Sequence, residues 1–186
     1  MRGNTWRAVR VCMPMVFWVG GYLLWCEGCT RAHPSRHAHV SAVEGCPEAP
    51  SVSKALPVVT VLFPEARYPS PPSVQAELAV APEELTRGLM YRTALSSDSG
   101  MLFRMPEVAA HRFWMRNTCL PLDMLFLDAQ GVLVGLVDEA SPLNDTPRGV
   151  DTPSAWVLEV QGGWARRHGV FAGQTVKIAL PESKIP

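Results

Sequence analysis

From residue 74 to residue 180 the apolar stretches are of strand length: VQAELAV (74–80), GMLF (100–103), HRFWM (111–115), DMLFLD (123–128), VLVGLV (132–137), SAWVLEV (154–160) and QTVKIAL (174–180). Runs of about 4 to 8 residues bounded by turn residues build sheets, whereas helices need about 10 or more. Helical patterning is confined to two places. Pro82 at a first helical position, with Glu83 and Glu84 in the following turn, predicts a short helix over 82–92. QGGWARRHG, at 161–169, predicts a helical turn. Ala129-Gln130-Gly131 joins DMLFLD and VLVGLV into a hairpin, and VLVGLV, apolar on both faces, is expected to be central. Residues 139–153 carry Pro142, Asn144, Asp145, Pro147 and Gly149, a long polar loop of the kind that often serves function. The expectation is an α+β fold: a β-rich compact single domain over 74–182, with a mixed sheet or partly open barrel and two short helices.

The amino-terminal part is of a different kind. Arg2, Arg7 and Arg10 precede an uncharged run from Val11 to Cys26, the basic and apolar segments of a secretory signal. Those 16 residues, with Pro14 among them, fall short of the roughly 20 that a spanning helix needs. Residues 1–29 are therefore expected to act as a signal peptide or lipoprotein signal. Cys29, after the small Gly28, is the lipidation candidate, although Glu27 fits such a cleavage box poorly. Residues 30–73, rich in Pro, Ala, Ser and His, are expected to form a flexible tether, within which Val58–Phe63 could add an edge strand. His33, His37 and His39 lie near Cys29 but lack a scaffold that would fix them at coordination distance, so no metal and no cofactor is expected.

The chain of 186 residues has a formal net charge of zero. It carries no overall electrostatic footprint for nucleic acid, and a membrane is expected to be met only through a lipid anchor.

Several phrases stand in a recognisable order: GLMYR (88–92), GMLF (100–103), FWMRNT (113–118), PLD (121–123), FLD (126–128) and LE (158–159), followed by Gly169 and Gly173. Together they resemble the bacterial and archaeal family called domain of unknown function 192, over about residues 74–180. The resemblance implies a compact β-rich α+β domain, often exported or lipid-anchored, and no established activity. Cys119 stands where that family usually carries an aliphatic residue. This counts against a shared catalytic thiol and suits a small hydrophobe. Cys46 in the tether and Cys119 at the elbow are expected as free thiols.

Alternation along HRFWM sends Arg112, Trp114 and Arg116 to one face. Two guanidiniums beside an indole could hold an anionic or sugar-like ligand. The same pattern also arises when arginine stems cover a half-buried tryptophan. Asn117 is a ligand candidate that can equally serve the backbone of its elbow. On a helix over 82–92, Arg92 shares a face with Leu85, Gly88 and Leu89, and Gly88 implies a close neighbouring backbone. Arg92 should therefore be partly desolvated and ion-paired with Glu159 or Asp123. Those two carboxylates are also the weak catalytic candidates, as general acid and base. Three classes follow: an exported, envelope-tethered binding or assembly module acting on a small ligand or an envelope protein; a hydrolase or transferase with Asp123 and Glu159 in one cleft; and a structural domain with every charge paired internally.

Overall fold

Alternating apolar residues bury one face of a strand, and strands apolar at every position must be covered on both. In the computed structural model, which describes residues 40–50, 54–66 and 70–180, both situations occur. The strands are β1 (Val40–Ser41), β2 (Val58–Leu62), β3 (Ser73–Ala79), β4 (Ala94–Leu95), β5 (Ser99–Ala109), β6 (Leu122–Leu127), β7 (Leu133–Ala140), β8 (Ser154–Gln161) and β9 (Lys177–Ala179), with helices α1 (Pro82–Arg87) and α2 (Trp164–His168). Seven strands form one open mixed sheet in the order β7-β6-β8-β5-β3-β2-β9, in which β3 and β5 run parallel and the other neighbours antiparallel. β1 and β4 form a separate two-stranded ladder.

β6 is buried at all six positions, so the sheet has a core on each face. Leu102, Leu125, Leu158 and Val160 point to one, with Trp164 of α2 packed among them. Met101, Phe103, Met124, Phe126 and Val157 point to the other, under Leu89 and Met115.

The fold class is as expected, and four local expectations are corrected. β7, expected to be central, is the sheet's edge. Its apolar outer residues are covered by the 141–153 loop, whose Val150 side chain lies where a Cβ on Gly135 would be. HRFWM is no sheet strand: β5 continues to Ala109, and Phe113 instead bridges Arg148 while the Met115 amide donates to the Asn144 carbonyl at 2.8 Å. The segment is extended but zipped to a loop, so its alternation survives, with Met115 buried and Arg112, Trp114 and Arg116 outward. The helix expected over 82–92 ends at Arg87, because Gly88 leaves the helical region at φ 50 and ψ −136, a conformation suited to glycine. Lastly, the tether expected over 30–73 contributes β1 and β2, the latter lying between β3 and β9 rather than at an edge. The expected signal, Cys29 and the three tether histidines lie outside the described residues.

Cys46 and Cys119 are not free thiols: they form a disulfide across 73 residues, with their Cα atoms 5.4 Å apart. Distance along the chain concealed the pairing. The β1–β4 ladder and the Val43 amide, which donates to the Cys119 carbonyl at 3.0 Å, carry residues 40–46 to the elbow. Cys46→Ser should therefore lower the unfolding free energy by about 2 to 4 kcal/mol, as for other long closed loops. Urea unfolding checks the size, and non-reducing peptide mapping should recover the two cysteines in one disulfide-linked species. An oxidised chain with Cys46 free would contradict the structure.

Candidate functional site

β8 sits between β6 and β5, and its register puts Glu159 opposite Met124 on one side and Met101 on the other. The carboxyl thus rises from the middle of an apolar face. Glu159 is only 5 % exposed and, among the described residues, has no hydrogen-bond or ion-pair partner. Burial alone pushes its pKa up to about 8, so at neutral pH it is mostly the uncharged acid.

Above it is a cavity of about 380 Å³. The α1 turn supplies one wall with Leu85, Gly88 and Leu89, and β5 supplies Phe103 and Met105. The other wall comes from Phe113, Trp114, Thr118 and Pro147 on the two zipped loops, with Arg87 and Arg112 also on its lining. Gly88 lets the wall come close to the sheet: a Cβ there would lie 3.2 Å from the Phe103 ring and 3.9 Å from the Glu159 Oε2. Phe103 and Phe113 meet edge to face at 5.3 Å, which fixes the second wall against the first. A second hollow of about 560 Å³, containing Glu77, Tyr91, Arg92 and Met101, shares Thr86, Arg87, Gly88 and Met90 with the first.

The stripe of Arg112, Trp114 and Arg116 exists, but its charges are already matched. Arg112 donates to the Val150 carbonyl at 2.7 Å and to the Asp151 carboxylate. Arg116 pairs with Asp145 at 2.9 Å and lies 4.3 Å over the Trp114 ring. The Arg116 hydrogen bond holds the Asp145 carboxyl below its usual range. Trp114, 41 % exposed, is therefore half-covered by an arginine, yet still borders the cavity. Asn117 faces inward to the fold: its Nδ2 donates to the Tyr91 hydroxyl at 2.9 Å, and its carbonyl accepts from the Tyr91 amide at 2.7 Å. Both residues have positive φ, 53° and 65°, so each steadies the other's unusual backbone.

Arg92 pairs neither with Glu159 nor with Asp123. Its guanidinium makes two bonds to Glu77, at 2.6 and 2.7 Å. Because the helix stops at Arg87, the face inferred for residue 92 does not apply. With side chains 30 % and 25 % exposed, this pair is nearer to a surface ion pair than to a desolvated one. Asp123 lies opposite Val160, one residue out of step with Glu159, and so on the other face of the sheet. The two acids do not share a cleft. Asp123 instead accepts backbone bonds from Glu139, Gly163 and Ala165, which fasten the start of α2. Burial pushes its carboxyl up, against the downward pull of those three donors.

Sequence reading missed Glu77, Tyr91 and the cleft-lining Leu89, Phe103 and Met105. Glu77 did carry a signal: it stands out of phase with Val74, Ala76, Leu78 and Val80 in an alternating strand. Phe103 and Leu89 carried none, because core and cleft walls use the same side chains.

Fold and site together define a β-rich α+β domain with an apolar cleft above a buried acid. The family model for domain of unknown function 192 (DUF192), described as an uncharacterized ACR, matches residues 66–178. The chain belongs to this family. No curated protein matches it. Among solved structures it is similar to one from Sinorhizobium meliloti described as a candidate transcription regulator, with 32% identity over 68% of this chain and 98% of that one, at a TM-score of 0.64. It is also similar to a protein of unknown function from Novosphingobium aromaticivorans, with 30% identity over 72% of this chain and 94% of that one, at a TM-score of 0.63.

Proposed function

We propose that this is an exported, envelope-tethered binding module whose ligand is a small molecule held in the cleft above Glu159. One observation carries the reading: the buried Glu159 carboxyl, which has no partner among the described residues, faces an open cavity. Buried polar groups are nearly always satisfied internally, and an orphan that faces a cavity is positioned to be satisfied by something that enters. The hydrolase or transferase reading loses its acid and base pair, since Asp123 lies on the opposite face. Arg112 and Arg116, each held by an aspartate, weaken the case for an anion.

The Cys46–Cys119 disulfide supports export, because such bonds persist mainly in oxidising compartments. The signal-like start of the chain points the same way. The regulator description of the Sinorhizobium protein has no counterpart in the charge of this chain, which is zero.

Two measurements test the reading. Amino-terminal analysis of the envelope fraction should find a mature chain beginning at Cys29, and an intact Met1 would remove the cleaved signal. Screening small aromatic fragments by amide chemical shifts should give binders that perturb residues 86–90, 112–118 and 159. Trp114→Ala should weaken them about tenfold through loss of the ring platform. Binders that map elsewhere, or are indifferent to Trp114, would remove the cleft as the site.

A further inference from the structure

Among the described residues, one polar group on the cleft lining has no partner, the Glu159 carboxyl. Arg112 on the lining is held by Asp151 and the Val150 carbonyl. Arg87 lies 5.6 Å over the Tyr91 ring and is itself engaged. Beyond Gly88, Arg92 and Glu77 satisfy one another through two bonds. Arg87 and Arg112 are the charged side chains that line the cleft with Glu159, and among the described residues no cation pairs with it. An acid in an apolar setting is therefore the group left to be answered.

Resting on the reading of the cleft as a ligand site, we propose that its ligand is a small organic cation. A protonated amine or amidine nitrogen would reach the Glu159 carboxylate while an apolar or aromatic body lies among Leu89, Phe103, Phe113 and Trp114. An ammonium donating to a carboxylate in a dry site makes one of the strong, charge-assisted hydrogen bonds. Ring faces beside it add attraction for the same charge. An anion would have to displace Asp151 from Arg112 and would still lie over an acid. A neutral hydroxyl would gain an ordinary hydrogen bond only.

The step balances simply. At neutral pH the Glu159 carboxylic acid gives its proton to solvent as the ammonium arrives, and the product is an ion pair. Binding therefore releases a proton, which neither a neutral nor an anionic ligand at this site would cause.

The test uses the full chain at pH 7 with three probes of one shape: benzylamine, benzyl alcohol and benzoate. Benzylamine should bind, shift amides 88–90, 113–118 and 159, and release nearly one proton, read by calorimetry in buffers of different ionisation enthalpy. Benzyl alcohol should bind at least about tenfold more weakly, and benzoate more weakly still. Glu159→Gln should abolish the advantage of the amine over the alcohol and the release of the proton. If the alcohol or benzoate matches the amine, or if no proton is released, the cation assignment falls while the cleft stands. If none of the three perturbs those amides, the cleft falls as well.

Discussion

Asp123→Ala should lower the unfolding free energy by about 3 to 5 kcal/mol. Its carboxylate accepts from the Glu139 amide at 2.9 Å and from the Gly163 and Ala165 amides at 2.8 Å each. Removing it leaves the Gly163 and Ala165 donors buried without a partner, and a buried unsatisfied donor costs about 1 to 3 kcal/mol. The damage is not confined to hydrogen bonds. Gly163, at φ 73, opens α2, and the next residue, Trp164, is fully buried with its ring 5.1 Å from Phe63. Loosening the turn therefore loosens the core on that face. Asp123→Asn should cost less, because the amide keeps one oxygen to accept. Urea unfolding of the three chains gives the ranking, and hydrogen exchange at residues 163 and 165 locates the loss. A change below about 1 kcal/mol for alanine would show that Asp123 does not hold α2.

Glu159→Gln should behave in the opposite way, raising stability, and only at higher pH. The Glu159 pKa stands at about 8 in the fold against an ordinary 4.5, because burial penalises the charged form. Below pH 4.5 the acid is neutral in both states, so the native chain carries no penalty. Between 4.5 and about 8 the unfolded chain loses the proton while the folded chain keeps it. Stability of the wild-type chain then falls by about 1.4 kcal/mol per pH unit from this group. Glutamine has the same shape and no such proton. The two chains should match near pH 4.5 and differ by about 4 kcal/mol near pH 8, with the variant more stable. Comparing the pair cancels the other carboxyls, Asp123 among them. Equal pH dependence in both chains would mean that Glu159 is paired or hydrated in solution. It would also remove the unpartnered buried acid on which the cation proposal rests.

Periodicity was a sound guide wherever one residue's neighbours along the chain decided its setting. The strands at VQAELAV, GMLF, DMLFLD, VLVGLV and SAWVLEV, the short helices near 82 and 164, and the hairpin at Gly131 were all legible for that reason. The outward grouping of Arg112, Trp114 and Arg116 was legible too, although the segment pairs with a loop rather than a sheet strand. Alternation is a property of extended backbone, whatever it pairs with.

Partners across the chain are another matter. Parity assigns a residue to a face but says nothing of which strand lies beside it. In this sheet β3, β5, β8 and β6 bring Glu77, Met101, Glu159 and Met124 into one row. Glu77 at one end finds Arg92, while Glu159, two strands away and about 10 Å distant, finds no partner among the described residues. The disulfide and the covering of edge strand β7 are of the same kind, set by which segments fold back on which. By itself the sequence determined the fold class, the family and the strands that carry the acids. Which acid is paired, which is capped and which is left facing a cavity was decided by strand order, because pairing of charges depends on distance in space.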